Sequence, residues 1–183
     1  MACAGFLAVG QVLIGPIQKP IPDLAVLGVT ALMPLAIAER IVRVPGAATA
    51  TCGAYLLPRA TISLLAPGLP PPPLLLIPAI AFDLGLWLHL GHLAGLSEVW
   101  PRRRNVWRKR PRPVVSGSLW RGRALVAGGL FGLVLSVVEP NYQVFLGADP
   151  ATWSGPTVWA AGLITTLVCG ALATIVSVPG TES

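Results

Sequence analysis

The chain has 183 residues, 54% of them hydrophobic and only 11% charged, with a mean hydropathy of +0.74. A water-soluble domain of this size needs about 25% charged residues to cover its surface, so the composition excludes an ordinary soluble globule and points to a surface that faces lipid. The net charge is +6, and it is concentrated: Arg102, Arg103, Arg104, Arg108, Lys109, Arg110, Arg112, Arg121 and Arg123 supply most of the 13 basic residues.

In a soluble protein such a run suggests nucleic acid. Here it lies between two apolar segments, so the positive-inside rule is the better reading and no nucleic-acid partner is expected. Contact of Arg102–Arg112 with anionic lipid is compatible with that reading.

Six apolar segments follow in order, at roughly 3–18, 24–42, 46–66, 73–96, 119–139 and 156–178. Each is close to the ~20 residues that cross the hydrocarbon core. The first is short and contains Gln11 and Pro16, so it reads as a short span or an interfacial helix. It lacks the basic start of a signal peptide. Lys19-Pro20-Ile21-Pro22-Asp23 separates it from the second segment, which ends at Glu39, Arg40 and Arg43. Glu39 reads as solvated beside Arg40. Pro45-Gly46 opens the third segment, and APGLPPPP at 66–73 reads as a stiff connector to the fourth. The fifth ends at Glu139-Pro140, where Glu139 reads as a solvated helix end. Tyr142 and Trp153, of types favoured at membrane interfaces, lie in the linker that follows.

The fold class expected is therefore all-α: a polytopic integral membrane bundle of about six transmembrane helices, or five if 3–18 does not span. It forms a single transmembrane domain over 1–183. The 39–45 turn and the 97–118 loop are basic, whereas 19–23, 67–73 and 140–155 hold only Lys19 against Asp23 and Asp149. That asymmetry places the basic loops, and with six spans both termini, on the cytoplasmic side of the cell membrane.

Small residues recur at four-residue spacing at Gly128, Gly132 and Ser136, and again at Gly162, Thr166 and Gly170. Such stripes let helix backbones approach closely in lipid. They would serve a homo-oligomer interface or, since one chain carries two of them, packing within a subunit.

Ionisable groups inside a span are costly and face a partner or a cavity. Arg59 lies seven residues before Ala66 and Asp83 ten after Pro73, which puts both roughly 10–15 Å below one interface if the two helices are antiparallel neighbours. An Arg59–Asp83 ion pair is expected. Tyr55 and Ser63 flank Arg59 on one helical face, giving a polar cluster of Tyr55, Arg59, Ser63 and Asp83. It would either fix helix register or line a cavity.

His89 and His92 are three residues apart and share a helical face, a spacing that suits one transition-metal ion. Asp83 lies nearly opposite His92, so a single-helix triad is disfavoured. Two neighbouring histidines cannot grip both faces of one haem, so a bis-His haem held within this chain is not expected. Cys3, Cys52 and Cys169 are isolated and read as small buried hydrophobes. No nucleotide-binding glycine loop, HExxH or GxSxG occurs, and the reading leans away from an enzyme.

In size and layout the bundle is similar to substrate-binding subunits of energy-coupling-factor transporters, which also use a small-xxx-small pattern such as Ala4 and Ala8. This likeness is architectural and rests on no specific motif. It implies a transport or solute-binding membrane component. The alternatives are a non-catalytic accessory subunit among other membrane subunits, and a metal-dependent membrane oxidoreductase subunit using His89 and His92.

Overall fold

The computed structural model describes residues 20–42, 44–65, 74–93 and 117–177. The 3–18 segment, the 66–73 connector and the 97–116 part of the basic loop lie outside them. Among the described residues six helices form: α1 Pro20–Val42, α2 Ala47–Leu65, α3 Leu76–Leu93, α4 Gly117–Phe145, α5 Pro150–Trp153 and α6 Pro156–Ser177. The described residues are helical with no strand.

Among the described residues three stretches are long and apolar enough to cross a membrane: Leu24–Val42, Arg121–Phe145 and Pro156–Val176. Leu76–Trp87 in α3 is apolar but shorter. Helix α2 has 19 residues but carries Thr49, Thr51, Thr61, Ser63 and Arg59, and it does not reach the same apolarity. The described residues thus give three helices of spanning length and composition, fewer than the sequence expectation of about six.

Local chemistry sets most boundaries. The α1–α2 turn closes on Gly46 at φ 87°, a conformation that a side chain disfavours. The α2 ladder starts with the Ala50 N–H donating to the Gly46 carbonyl at 2.8 Å. Asp149 caps α5 by accepting from the Ala151 N–H at 3.0 Å, and Gly155 at φ 118° precedes the Pro156 that opens α6. Helix α1 already begins at Pro20, inside the break expected at 19–23, and a second boundary differs as well. Pro140 does not end α4, which continues to Phe145. Pro140 is buried, and beside it the Asn141 side-chain amide donates to the Val137 carbonyl at 2.6 Å.

The most extensive packing joins α4 to α6, followed by α1 with α6 and α3 with α4. The α4–α6 seam is antiparallel and built on small residues. A Cβ on Gly128 would lie 2.4 Å from the Cys169 carbonyl oxygen, and one on Gly132 would lie 2.7 Å from the Thr166 Cα. A Cβ on Gly162 would lie 2.9 Å from that of Ser136, and one on Gly170 3.3 Å from Leu125. Both stripes read from the sequence therefore face each other within one subunit. Their hydroxyls are satisfied internally: Thr166 donates to the Gly162 carbonyl at 2.8 Å and Ser136 to the Gly132 carbonyl at 2.6 Å.

Elsewhere Gly85 brings α3 against Ala127, and Phe82 meets Phe131 edge-on at 6.5 Å. The core gathers Leu32, Leu35, Phe82, Leu86, Phe131 and Leu135. Outward-facing apolar side chains such as Leu57, Trp159 and Leu167 are more than two-thirds exposed, which suits lipid rather than water.

Gly128→Ala is expected to destabilise the chain by about 1–3 kcal/mol through overpacking. Gly129→Ala, whose added methyl meets nothing within 4 Å, stays within about 0.5 kcal/mol or gains slightly from helix propensity. Unfolding of the two variants in mild detergent measures the difference.

Candidate functional site

The densest polar arrangement sits where α1 turns into α2 and α3 packs across the turn. Here the first turn of α2 presents N–H groups that no helix can satisfy internally, and two buried carboxyl groups take them. Glu39, in the last turn of α1, accepts from the Ala48 N–H at 3.3 Å through Oε1. Asp83, in the middle of α3, accepts from the Thr49 N–H at 2.8 Å through Oδ2. The Thr49 hydroxyl donates to the same oxygen. One helical turn beyond Asp83, the Trp87 indole Nε1–H donates to Glu39 Oε2 at 3.3 Å.

Burial makes this arrangement unusual. Glu39 is wholly buried and Asp83 is 7% exposed. The two carboxyl groups accept from consecutive backbone N–H groups, those of Ala48 and Thr49, which brings them side by side at the start of α2. Asp83 Oδ1 is buried and has no hydrogen-bond partner. Two acids thus face each other at a positive helix end, with one oxygen still open.

The expected Arg59–Asp83 pair does not form here. Asp83 engages Thr49, and Arg59 lies ten residues further along α2, roughly 15 Å of helical rise away. The reason is register. The buried stripe of α2 is Ala48, Cys52 and Tyr55, so α2 packs through its first half only. Beyond Pro58 its side chains are exposed or half-buried, with Leu64 at 84% and Leu65 at 79%.

Tyr55 is buried, one helical turn before Arg59. Arg59 is half-buried, as is Ser63, whose hydroxyl donates to the Ala60 carbonyl at 3.0 Å. Tyr55, Arg59 and Ser63 therefore form a polar face of α2, separate from Asp83. His89 and His92 fall within α3, and their side chains lie outside the described residues. Among the described residues no group of three or more His, Cys, Asp or Glu is gathered for a metal ion. Cys52 and Cys169 are buried free thiols.

Glu39 and Glu139, expected at solvent, are both buried. Glu139 repeats the device at another helix start: its Oε2 accepts from the Leu74 N–H at 3.4 Å just before α3, and Oε1 accepts from the Gln143 amide at 2.7 Å. A signal for Glu39 was present in the sequence. An acid in the last turn of a helix opposes the macrodipole, so it needs a use elsewhere. Comparison with known protein families, characterised proteins and solved structures finds no match, so the site is read from its own chemistry.

Thr49→Val removes one donor from Asp83 and is expected to cost about 1–2 kcal/mol, while Thr49→Ser stays close to the parent. In double-mutant cycles Thr49→Val and Asp83→Asn are non-additive, whereas Arg59→Gln and Asp83→Asn add within about 0.5 kcal/mol. Denaturant unfolding of the single and double variants measures both couplings.

Proposed function

We propose that this chain is a small multi-pass membrane protein that serves as a transport or solute-binding component, with Glu39, Thr49, Asp83 and Trp87 as its polar centre. One observation carries the reading: two carboxyl groups are buried side by side inside an apolar bundle, and one Asp83 oxygen has no hydrogen-bond partner. Ionisable groups kept at such cost in a membrane fold mark binding and transfer sites. The centre is acidic and lined by acceptors, so it favours a ligand that brings positive charge or donates hydrogen bonds.

In this reading 3–18, α2 and α3 complete about six spans within a single domain. The 39–45 turn, the 97–118 loop and both termini face the cytoplasm, and Arg102–Arg112 lies against anionic headgroups. The lysine and arginine asymmetry supports that orientation. In a background with Cys3, Cys52 and Cys169 changed to alanine, Ser154→Cys is labelled by an impermeant maleimide in intact cells. Asn105→Cys is labelled only after permeabilisation. The reverse pattern inverts the topology.

The functional test is ligand-linked stability of the purified chain in mild detergent. A panel of ammonium- and guanidinium-bearing solutes and alkali cations is screened by Tm at fixed pH. At least one class is expected to raise Tm with concentration in the parent and to lose that effect in Asp83→Asn. No response across the panel, together with co-purification of other membrane subunits, removes the transport reading and leaves the accessory role.

A further inference from the structure

We propose that Glu39 and Asp83 hold one exchangeable proton between them, so that the ligand of this centre includes a proton taken up and released at the α1–α2 end of the bundle. The inference rests on reading that centre as a binding site, and it names one species that binds there.

The geometry carries it. Glu39 Oε1 and Oε2 each accept a hydrogen bond, from Ala48 and Trp87, and Asp83 Oδ2 accepts two from Thr49. Of these four oxygens Asp83 Oδ1 alone has no donor, although it is buried and its carboxyl group sits beside that of Glu39 on consecutive N–H groups. A proton on one carboxyl, donated to the other, fills that gap. It also removes the repulsion between two adjacent buried carboxylates, which cannot both ionise cheaply. With the proton the pair carries one negative charge. On release the proton goes to solvent and the pair carries two, held by the Ala48, Thr49 and Trp87 donors.

The surrounding charged and titratable groups leave this assignment in place. On α1, Arg40 donates to the Val176 carbonyl of α6 at 3.2 Å. On α2, Cys52 is buried one turn past Ala48. On α3, Trp87 supplies a neutral donor. On α4, Arg121 is exposed, and Arg123 is buried with no hydrogen-bond partner for Nε or Nη1, carboxylate oxygens included.

Infrared difference spectroscopy of the full chain in detergent, between neutral and alkaline pH, tests the proposal. The parent is expected to show the carbonyl stretch of a protonated carboxylic acid at neutral pH. That band shifts in D2O and disappears on alkalinisation, with the loss of one protonated carboxylic acid per chain. Glu39→Gln and Asp83→Asn each alter or abolish the band, and Glu139→Gln leaves it unchanged.

No pH-sensitive band in the parent, or a band that responds to only one of Glu39 and Asp83, or one that vanishes only in Glu139→Gln, overturns the shared proton. The parent spectra do not depend on how well any variant folds. A band with no solute-induced Tm rise keeps the proton and removes the solute, and a Tm rise with no band does the reverse.

Discussion

The structure depends on how helix starts are satisfied where water is scarce. The first N–H groups of a helix have no internal partner, and in an apolar bundle each one left bare costs several kcal/mol. This chain answers with carboxylates from neighbouring helices. Glu39 and Asp83 serve the start of α2, and Glu139 serves the backbone entering α3. Acids that would be liabilities in lipid are placed where the helix dipole favours negative charge.

That constraint positions the elements around it. Asp83 meets α2 at Thr49 in its first turn, and the second half of α2 carries no buried residue. Glu39 links the end of α1 to the same point, and Trp87 ties α3 to Glu39. Three helices thus converge on one pair of acids. The arrangement leaves Arg59 on a polar face of its own with Tyr55 and Ser63, and it leaves one acid oxygen open.

The rest of the bundle is held mainly by close approach, with polar ties such as Arg40 to the Val176 carbonyl added to it. Along α4 and α6, glycines remove the side chains that would hold the backbones apart, and threonine and serine hydroxyls bond to their own helices, Ser136 also reaching the Gly162 carbonyl across the seam at 3.3 Å. Dispersion over such a seam is a main source of cohesion between helices in lipid. The rigid seam provides a platform, and α3 with its acid lies on it through Gly85 and the Phe82–Phe131 contact.

Composition and apolar run length were enough to establish an all-helical chain with helices fit to span a membrane. The described helices fall close to the apolar segments because run length and proline or glycine breaks are local properties. The small-residue stripes were legible for the same reason, since helical periodicity alone puts Gly128, Gly132 and Ser136 on one face. Depth and pairing were not legible. Matching Arg59 to Asp83 required the axial offset between α2 and α3, and that offset is set by which acid caps which helix. Glu39 and Glu139 resemble solvated ends in the sequence because each stands beside a charge or a helix breaker. Only the tertiary structure buries them, by bringing a distant helix start to each carboxylate.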